Sequence, residues 1–329
     1  MRVLVCGSSG CIGSAVVRAL RWRGHPVVET TRSGVAGRGE AVALDFTRST
    51  SVDAWTAQLR ALDVDAIVNC AGSALPAAAS ASADRLHRDG PIALFRGAER
   101  AGVARIVAVS ALGADRCDAG GNDPPARDGW RARHDADEAL LGLSLDAAVV
   151  RPALVYGPGS RSGAALAALA RAPRLVLPDG GTQRLQPLHV FELAEAIATL
   201  VERTGSARGV YELAGAAIVT YRELLIALRD AQGGGAAIGL AVPMAIARLA
   251  ARAPRPGLRG VPDGDVLRLL ERVGTTRRNA APVLLGRAPS TLAEGLAVTP
   301  PLRSVPRAPN ASARRAGAAW FHPPHRGHS

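Results

Sequence analysis

Residues 3–14 read Val3-Leu4-Val5-Cys6-Gly7-Ser8-Ser9-Gly10-Cys11-Ile12-Gly13-Ser14. An uncharged apolar run stops at Gly7, glycine recurs at every third position, and an amphipathic stretch with Ala15, Val16, Val17 and Leu20 follows. Glycines at this spacing let the chain turn tightly and bring backbone N–H groups against an anion. A helix starting there aims its unsatisfied N–H groups and the positive end of its dipole at the same place. The chemistry this suits is the binding of a dinucleotide pyrophosphate by Gly7, Ser8, Ser9, Gly10, Cys11, Ile12 and Gly13. The competing reading is a purely structural turn. The apolar run before it and the helical stretch after it, stopped at Gly24, favour the dinucleotide.

Such a loop needs a sheet to hold it. Strand signals at residues 3–6, 26–31, 41–44, 66–72, 105–110 and 147–151 alternate with helical patterns at 51–62, 91–101 and 129–141. Residues 114–128, polar with Gly120-Gly121 and Pro124-Pro125, read as a loop. Repeated β–α units predict an α/β fold, a doubly wound parallel sheet of the Rossmann kind, with a smaller C-terminal α/β lobe. Past residue 155 the spacing predicts helices at 166–170, 190–201, 243–253 and 266–273 and a strand at 209–213. Thr220-x-x-Glu223 reads as a capping box. The expected organisation is a dinucleotide-binding unit over residues 1–155 and a smaller substrate lobe over 156–299, interleaved with the first. Residues 300–329, dense in Pro and Arg and free of acidic residues, are expected to be a disordered tail.

Composition narrows the function classes. The chain has 329 residues, 48% of them hydrophobic and only 3% aromatic, so its core must be built from Ala, Val and Leu. A formal charge of +12 suggests nucleic acid or an anionic membrane as partner. Yet all 40 basic residues are arginine and the chain is rich in Ala, Gly and Pro, a pattern of GC-rich genomes. Part of the charge is then codon usage, and nucleic-acid binding is the weaker reading. Cys6, Cys11, Cys70 and Cys117 form no Cys-x-x-Cys pair and read as reduced thiols of a cytoplasmic protein. Cys11, inside the loop, reads as a small space-filling residue before it reads as an exposed redox sensor. No His/Cys/Asp/Glu cluster has metal-ligand spacing. No secretory leader is expected, because residues 1–13 are already strand and loop. The uncharged stretch 231–247 is broken by Gly233-Gly234-Gly235 and Pro243 and is too short to cross a bilayer.

Further motifs carry a resemblance. Asp45-Phe46 follows the third strand, Ala71-Gly72 the fourth, and Ser110 ends the fifth. Arg151-Pro152-Ala153-Leu154-Val155-Tyr156-Gly157-Pro158-Gly159 follows the sixth. With the glycine loop, these residues resemble the extended and atypical short-chain dehydrogenase/reductases, the NAD-dependent epimerases and dehydratases among them, over residues 1–298. Ser110-Ala111-Leu112-Gly113-Ala114, Gln186-Pro187-Leu188-His189-Val190 and Tyr211-Glu212-Leu213-Ala214-Gly215 are similar to the branch near the nucleotide-binding accessory subunit of respiratory complex I. The resemblance implies NAD or NADP as cofactor, with Asp45, Phe46, Ala71 and Gly72 beside it. Where NAD-selective members place an acidic residue at the end of the second strand, Thr31 and Arg32 stand here, and Glu29 lies too early. A guanidinium at Arg32 suits a 2′-phosphate, so NADP is favoured.

The resemblance also implies a Tyr-x-x-x-Lys couple on the helix after the fifth strand. Its tyrosine is the general acid/base, its lysine lowers the tyrosine pKa and holds the ribose, and a serine polarises the substrate oxygen. The matching positions here read Trp130-Arg131-Ala132-Arg133-His134. An indole N–H only donates and does not ionise usefully. No lysine occurs anywhere in the chain, and the three tyrosines, Tyr156, Tyr211 and Tyr221, lie outside this helix. His134, with an ordinary pKa of about 6.5, is open to three roles: proton shuttle, ribose contact or solvated surface residue. Ser110 either polarises a substrate oxygen or caps the strand end. His189 reads as a residue that packs or bonds a loop carbonyl. The catalytic positions are therefore Ser110, Trp130 and His134, with His134 also counted among the cofactor contacts.

Three functions stand side by side. One is a dinucleotide-binding sensor, chaperone or assembly subunit with weak or absent dehydrogenase chemistry and a protein partner. Another is an NADP-dependent oxidoreductase or epimerase that uses Ser110 and His134. The third is nucleic-acid binding through the arginines. No substrate is named by the residues, because fold does not imply function.

Overall fold

The computed structural model describes residues 1–31, 40–46, 51–72, 84–116, 124–252, 260–272 and 274–299, with the backbone alone for 124–129. In chain order the first half holds β1 (Val3–Cys6), α1 (Cys11–Trp22), β2 (Val27–Thr31), β3 (Glu40–Ala43), α2 (Val52–Leu62), β4 (Ala66–Asn69), α3 (Gly90–Ala101), β5 (Arg105–Val109), α4 (Pro124–Leu141) and β6 (Asp146–Pro152). The second half holds β7 (Val155–Tyr156), α5 (Arg161–Ala170), β8 (Arg174–Pro178), β9 (Arg184–Leu185), β10 (Leu188–His189), α6 (Val190–Glu202), β11 (Gly209–Leu213), β12 (Val219–Thr220), α7 (Tyr221–Asp230), β13 (Ile238–Val242), α8 (Met244–Arg252), α9 (Gly264–Arg272), α10 (Ala281–Leu285) and α11 (Leu292–Ala297).

Seven strands form one parallel sheet in the order β3-β2-β1-β4-β5-β6-β11. β1 is buried along its whole length, as a strand covered on both faces must be. Alternation divides its side chains between two cores. Val3 and Val5 pack with Val16 and Leu20 of α1 and Ile197 and Val201 of α6. Leu4 and Cys6 pack with Trp55 and Leu59 of α2 and Leu94 and Phe95 of α3. Each fully buried aliphatic side chain of this kind contributes about 1.5–3 kcal/mol. The strand order reverses between β1 and β4, which opens a crevice at the C-terminal ends of those two strands.

Residues 209–213 join this sheet rather than the smaller lobe. β11 runs parallel to β6, from Gly209 opposite Ala148 to Leu213 opposite Pro152, and α6 packs against α1. The buried Arg105 fastens the return. Its guanidinium donates to the carbonyls of Leu200, Val201, Arg203 and Gly205 at 2.7–3.0 Å, which satisfies the C-terminal end of α6. α10 packs on α6 in the same core, while α5, α7 and α9 gather around a separate cluster in which Leu166, Tyr221, Leu224, Leu225 and Leu269 meet Trp130.

Several boundaries differ from the sequence expectation. α4 begins at Pro124, inside the stretch expected to be a loop. Proline is tolerated in a first turn because its missing N–H has no partner there. α5 starts at Arg161, where Ser160 Oγ accepts from Gly163 N at 3.0 Å. The Thr220–Glu223 capping box forms as expected, and a second one, Thr291–Glu294, starts α11. Among the described residues no helix is long and apolar enough to cross a membrane.

Candidate functional site

The glycine loop sits at the mouth of the crevice. Gly7 has φ +72°, and a Cβ there would lie 2.9 Å from the backbone of Ala71 at the end of β4. A Cβ on Gly13 would lie 2.2 Å from the Gly7 carbonyl oxygen. Gly10 is exposed, with only the Gly7 carbonyl 3.2 Å from such a Cβ. The three glycines thus serve a tight turn, an open approach and close helix packing, the division of labour expected of a dinucleotide loop. Gly7 N donates to Thr30 Oγ1 at 3.1 Å and Ser8 Oγ donates to the Thr30 carbonyl at 3.0 Å, so β2 pins the loop. Gly10 caps α1 without a side chain, the first turn carries no acidic residue, and Ser14 N closes the first helical bond onto Gly10 O at 2.9 Å. The N–H groups of the first turn are therefore available to an anion. Ser9 is exposed and Ile12 is half-buried against the core.

A second glycine turn lies over the first. Gly157 and Gly159 both have positive φ, and a Cβ on Gly159 would lie 3.5 Å from Cys11 Cα. Cys11 Sγ donates to the Pro158 carbonyl at 3.4 Å. Burial pushes the Cys11 thiol up to about 12, so it stays a protonated packing group and not the exposed thiol considered from sequence.

Farther along the crevice, Ser110 Oγ donates to Asp137 Oδ2 at 2.9 Å. Arg151 Nε and Nη2 donate to the same oxygen at 3.1 and 3.0 Å. Asp115 lies 3.8 Å from Arg151 Nη1. All three members of the network are at least half-buried, and burial pushes the Asp137 carboxyl up to about 6 against the opposing pull of Arg151. The half-buried Ser110 hydroxyl is thereby bonded to a carboxylate on α4.

Trp130, His134 and Asp137 follow one another at one-turn spacing on α4 and share a face. Trp130 is 2% exposed and packed with Ala114, Leu154 and Leu166. Its Nε1 makes no hydrogen bond, and neither does the buried Nδ1 of the half-buried His134. Arg133 is buried, with its guanidinium 6.0 Å from the Trp130 ring centre, and burial lowers it to about 10. Burial and the neighbouring Arg133 hold His87 down to about 3, so it is a neutral imidazole. Its ring lies where a Cβ on Gly72 would come within 3.3 Å.

The remaining expected residues fall as follows. Ala71 N donates to Asn69 Oδ1 at 3.1 Å, which shapes the turn at the end of β4, and Gly72 is exposed beside it. Phe46 is core, tilted against Trp55 at 5.7 Å, and Asp45 is half-buried next to it. Arg32 lies outside the described residues. His189 is packed, 1% exposed. Its Nδ1 accepts from Phe191 N at 3.2 Å and its Nε2 donates to Thr299 Oγ1 at 2.9 Å. None of the three tyrosines lies on α4: Tyr221 shares a buried cluster with Trp130, and the Tyr211 hydroxyl donates to the Ala207 carbonyl. Thr30, His87 and Asp137 were not singled out from sequence, and Arg151 was named only within the run that carries the resemblance. Asp137 was legible in principle, one turn beyond His134 on the same face. Among the described residues no group of three or more His, Cys, Asp or Glu could hold a metal.

Comparison with known proteins agrees with this geometry. Residues 3–127 match the model of the NAD dependent epimerase/dehydratase family. The chain is 30% identical over 239 residues to the 3-diazoavenalumate denitrifying reductase of a Streptomyces species, covering 61% of this chain and 72% of that one. It is 33% identical over 134 residues to the mitochondrial NADH dehydrogenase [ubiquinone] 1 alpha subcomplex subunit 9 of Arabidopsis thaliana, covering 40% of this chain and 32% of that one. In fold it is similar to DesIV, the dTDP-glucose 4,6-dehydratase of Streptomyces venezuelae solved with NAD and TYD bound. That likeness has a TM-score of 0.65 at 23% identity, over 91% of this chain and 95% of the other. The seven-stranded sheet, the glycine loop at its switch point and these relatives together place the chain in the NAD-dependent epimerase/dehydratase family, the extended branch of the short-chain dehydrogenase/reductases.

Proposed function

We propose that this chain binds a nicotinamide dinucleotide and acts as a cofactor-dependent sensor or assembly factor, with hydride transfer weak or absent. The observation that carries the reading is Trp130. It stands at the tyrosine position of the family pattern, is sealed into an apolar cluster, and offers only an N–H donor that does not ionise as a general acid/base near neutral pH. His134 is the one titratable group at the lysine position, and the Ser110 proton is committed to Asp137. The dinucleotide, when bound, supplies or accepts a hydride. The residues that would hold it are Gly7, Ser8, Ser9, Gly10, Cys11, Ile12 and Gly13 at the pyrophosphate, Asp45, Phe46, Ala71 and Gly72 along the crevice, and His134 at the ribose. A protein partner is in keeping with the likeness to a respiratory-complex subunit.

NADP is the favoured form, through Arg32 on the 2′-phosphate. A bidentate charged contact of this kind is worth about 1.5–3 kcal/mol, or roughly ten- to a hundredfold. Isothermal titration with NAD(H) and NADP(H), on the natural chain and on Arg32→Ala, tests both statements. Absence of binding by either nucleotide sinks the whole reading, and an unchanged NADP/NAD ratio in the variant sinks the preference alone.

The second reading, an active NADP-dependent reductase or epimerase using Ser110 and His134, is favoured by the 30% identity to a reductase. Following nicotinamide absorbance with a panel of carbonyl compounds separates it from the first.

A further inference from the structure

Two buried polar side chains that the dinucleotide reading leaves unassigned meet at the end of β4. A Cβ on Gly72 would lie 3.3 Å from His87 Cε1, 3.5 Å from His87 Nδ1 and 3.8 Å from Arg133 Nη2. Gly72 itself is exposed. Its missing side chain therefore leaves an open place in the crevice, walled by an imidazole edge and a guanidinium. His87 and Arg133 reach it from separate elements, and both are sunk into the fold, 5% and 8% exposed. His87 sits in a wide helical turn of the π type, Arg85–Asp89, which runs directly into α3. Such turns are rare and frequent at functional sites. Arg133 comes from α4, next to His134.

The chemistry of this pair selects a hydroxyl-bearing ligand. A guanidinium only donates, whereas a neutral imidazole has a bare nitrogen as well as an N–H. Burial and the Arg133 charge keep His87 in that neutral form. An anion needs donors alone and would draw the imidazole into its charged form, which both causes oppose. A vicinal diol uses the two kinds of group at once: one hydroxyl accepts from the guanidinium and the other donates to the imidazole. The sheet order says which diol. In β3-β2-β1-β4-β5 the glycine loop follows β1, and the adenosine 2′-phosphate is assigned to Arg32, the residue after β2. A pyrophosphate on the loop then divides an adenosine half on the β2 side from a nicotinamide half on the β4 side, where Gly72 and α4 stand.

We propose that His87 and Arg133 together hold the vicinal diol of the nicotinamide ribose above Gly72, alongside His134. The proposal rests on the dinucleotide reading.

The test uses ligands that differ by the distal ribose alone, with no turnover required. ADP and ADP-ribose, each with and without a phosphate on the adenosine 2′-oxygen, are titrated calorimetrically into the full chain. ADP-ribose should bind at least about tenfold more tightly than ADP, the scale of one hydrogen bond to a charged donor. His87→Leu and Arg133→Met should each cut that ratio by at least about fivefold and leave ADP affinity where it was. His87→Asn keeps a neutral donor and acceptor and should retain more of the ratio than His87→Leu. Thermal midpoints identify any variant that fails to fold, and the ratio in the natural chain needs no variant. ADP bound with ADP-ribose no tighter overturns the proposal and leaves the dinucleotide reading standing. So does a ratio unchanged in the folded His87→Leu and Arg133→Met chains, which would assign the distal ribose to His134. Failure to bind any of the four ligands removes the dinucleotide reading and the proposal with it.

Discussion

Ser110 donates its proton to Asp137 Oδ2 at 2.9 Å, and that same oxygen takes both Arg151 contacts. The serine position of the family pattern is thereby tied to a carboxylate and a guanidinium inside the fold. Hydrogen bonds to charged groups contribute about 1.5–3 kcal/mol. Ser110→Ala should therefore lower unfolding free energy by roughly 1–2 kcal/mol in urea, below the full value because the Arg151 contacts remain. Dinucleotide affinity should hold. A variant as stable as the natural chain would mean that Asp137 does not need the hydroxyl.

Asp137 also gives stability a pH dependence of defined sign. Burial raises its pKa from 3.8 to about 6 in the folded chain. The folded state therefore binds more protons than the unfolded state between those two values. The contribution is fully present below about 4 and lost as pH rises through about 6, amounting to at most about 3 kcal/mol. Asp146 and Glu202, held low by their hydrogen bonds and neighbouring cations, act in the opposite direction as the medium turns acid. Asp137→Asn cannot titrate. The free energies of the natural chain minus those of the variant, across pH 4 to 7, should fall between about 4 and 6 and level off above 6. A flat difference would place the carboxyl at its ordinary value.

Gly13 and Gly235 make a controlled pair. A Cβ at Gly13 would lie 2.2 Å from the Gly7 carbonyl oxygen, backbone against backbone, whereas one at Gly235 meets nothing within 4 Å. Gly13→Ala should cost about 1–3 kcal/mol, the scale of overpacking, and weaken dinucleotide binding, because the loop must shift to admit the methyl. Gly235→Ala should leave both quantities unchanged. Thermal shift and titration on the two variants read this directly.

What was legible in the sequence follows from how local each signal is. The glycine loop and the strands of the main sheet write themselves in short continuous runs, and they form where expected. β11 was legible as a strand, but its place beside β6 was not. That place rests on Arg105 binding carbonyls some hundred positions later. The start of α4 was obscured by Pro124-Pro125, which reads as a breaker unless the prolines fall in a first turn. Asp137 escaped notice because its partners, Ser110 and Arg151, come from two different strands. Burial of Trp130 is likewise tertiary, since its neighbours Leu154 and Leu166 belong to later elements.

The replaced couple bears on turnover. Loss of a positioned acid/base typically removes about 10²–10⁴ in rate. Reduction of simple ketones or sugar nucleotides at neutral pH should therefore stay below about 1 s⁻¹. Trp130→Tyr together with His134→Lys restores a phenol and an ammonium one turn apart on the same face of α4 and should raise whatever rate is present. The Trp130 indole is surrounded by Ala114, Leu154 and Leu166, so the smaller phenol has room there. A natural chain turning over faster than that bound refutes the sensor reading outright.

Thr299, the last of the described residues, is tied to the core through His189. His189 Nδ1 accepts from Phe191 N, which leaves the ring proton on Nε2, and that proton goes to Thr299 Oγ1 at 2.9 Å. Thr299 Oγ1 in turn donates to the Gly295 carbonyl at 2.5 Å, closing α11 onto β10. Burial holds His189 down to about 3, so this link stays intact through the neutral range. Thr299→Val leaves the buried imidazole N–H without an acceptor and should cost about 1–3 kcal/mol. Residues 300–329, outside the described part, carry five arginines, six prolines and no acidic residue, and such a composition does not offset its ordering entropy by burial. Truncation after Thr299 should change stability by no more than about 0.5 kcal/mol and leave dinucleotide affinity as it is. Trypsin, which cleaves after arginine, is the direct probe. Rapid loss of the tail ahead of the glycine-loop unit is the expected course. A tail that resists as long as that unit would belong to the fold, and the boundary at 299 would have to move.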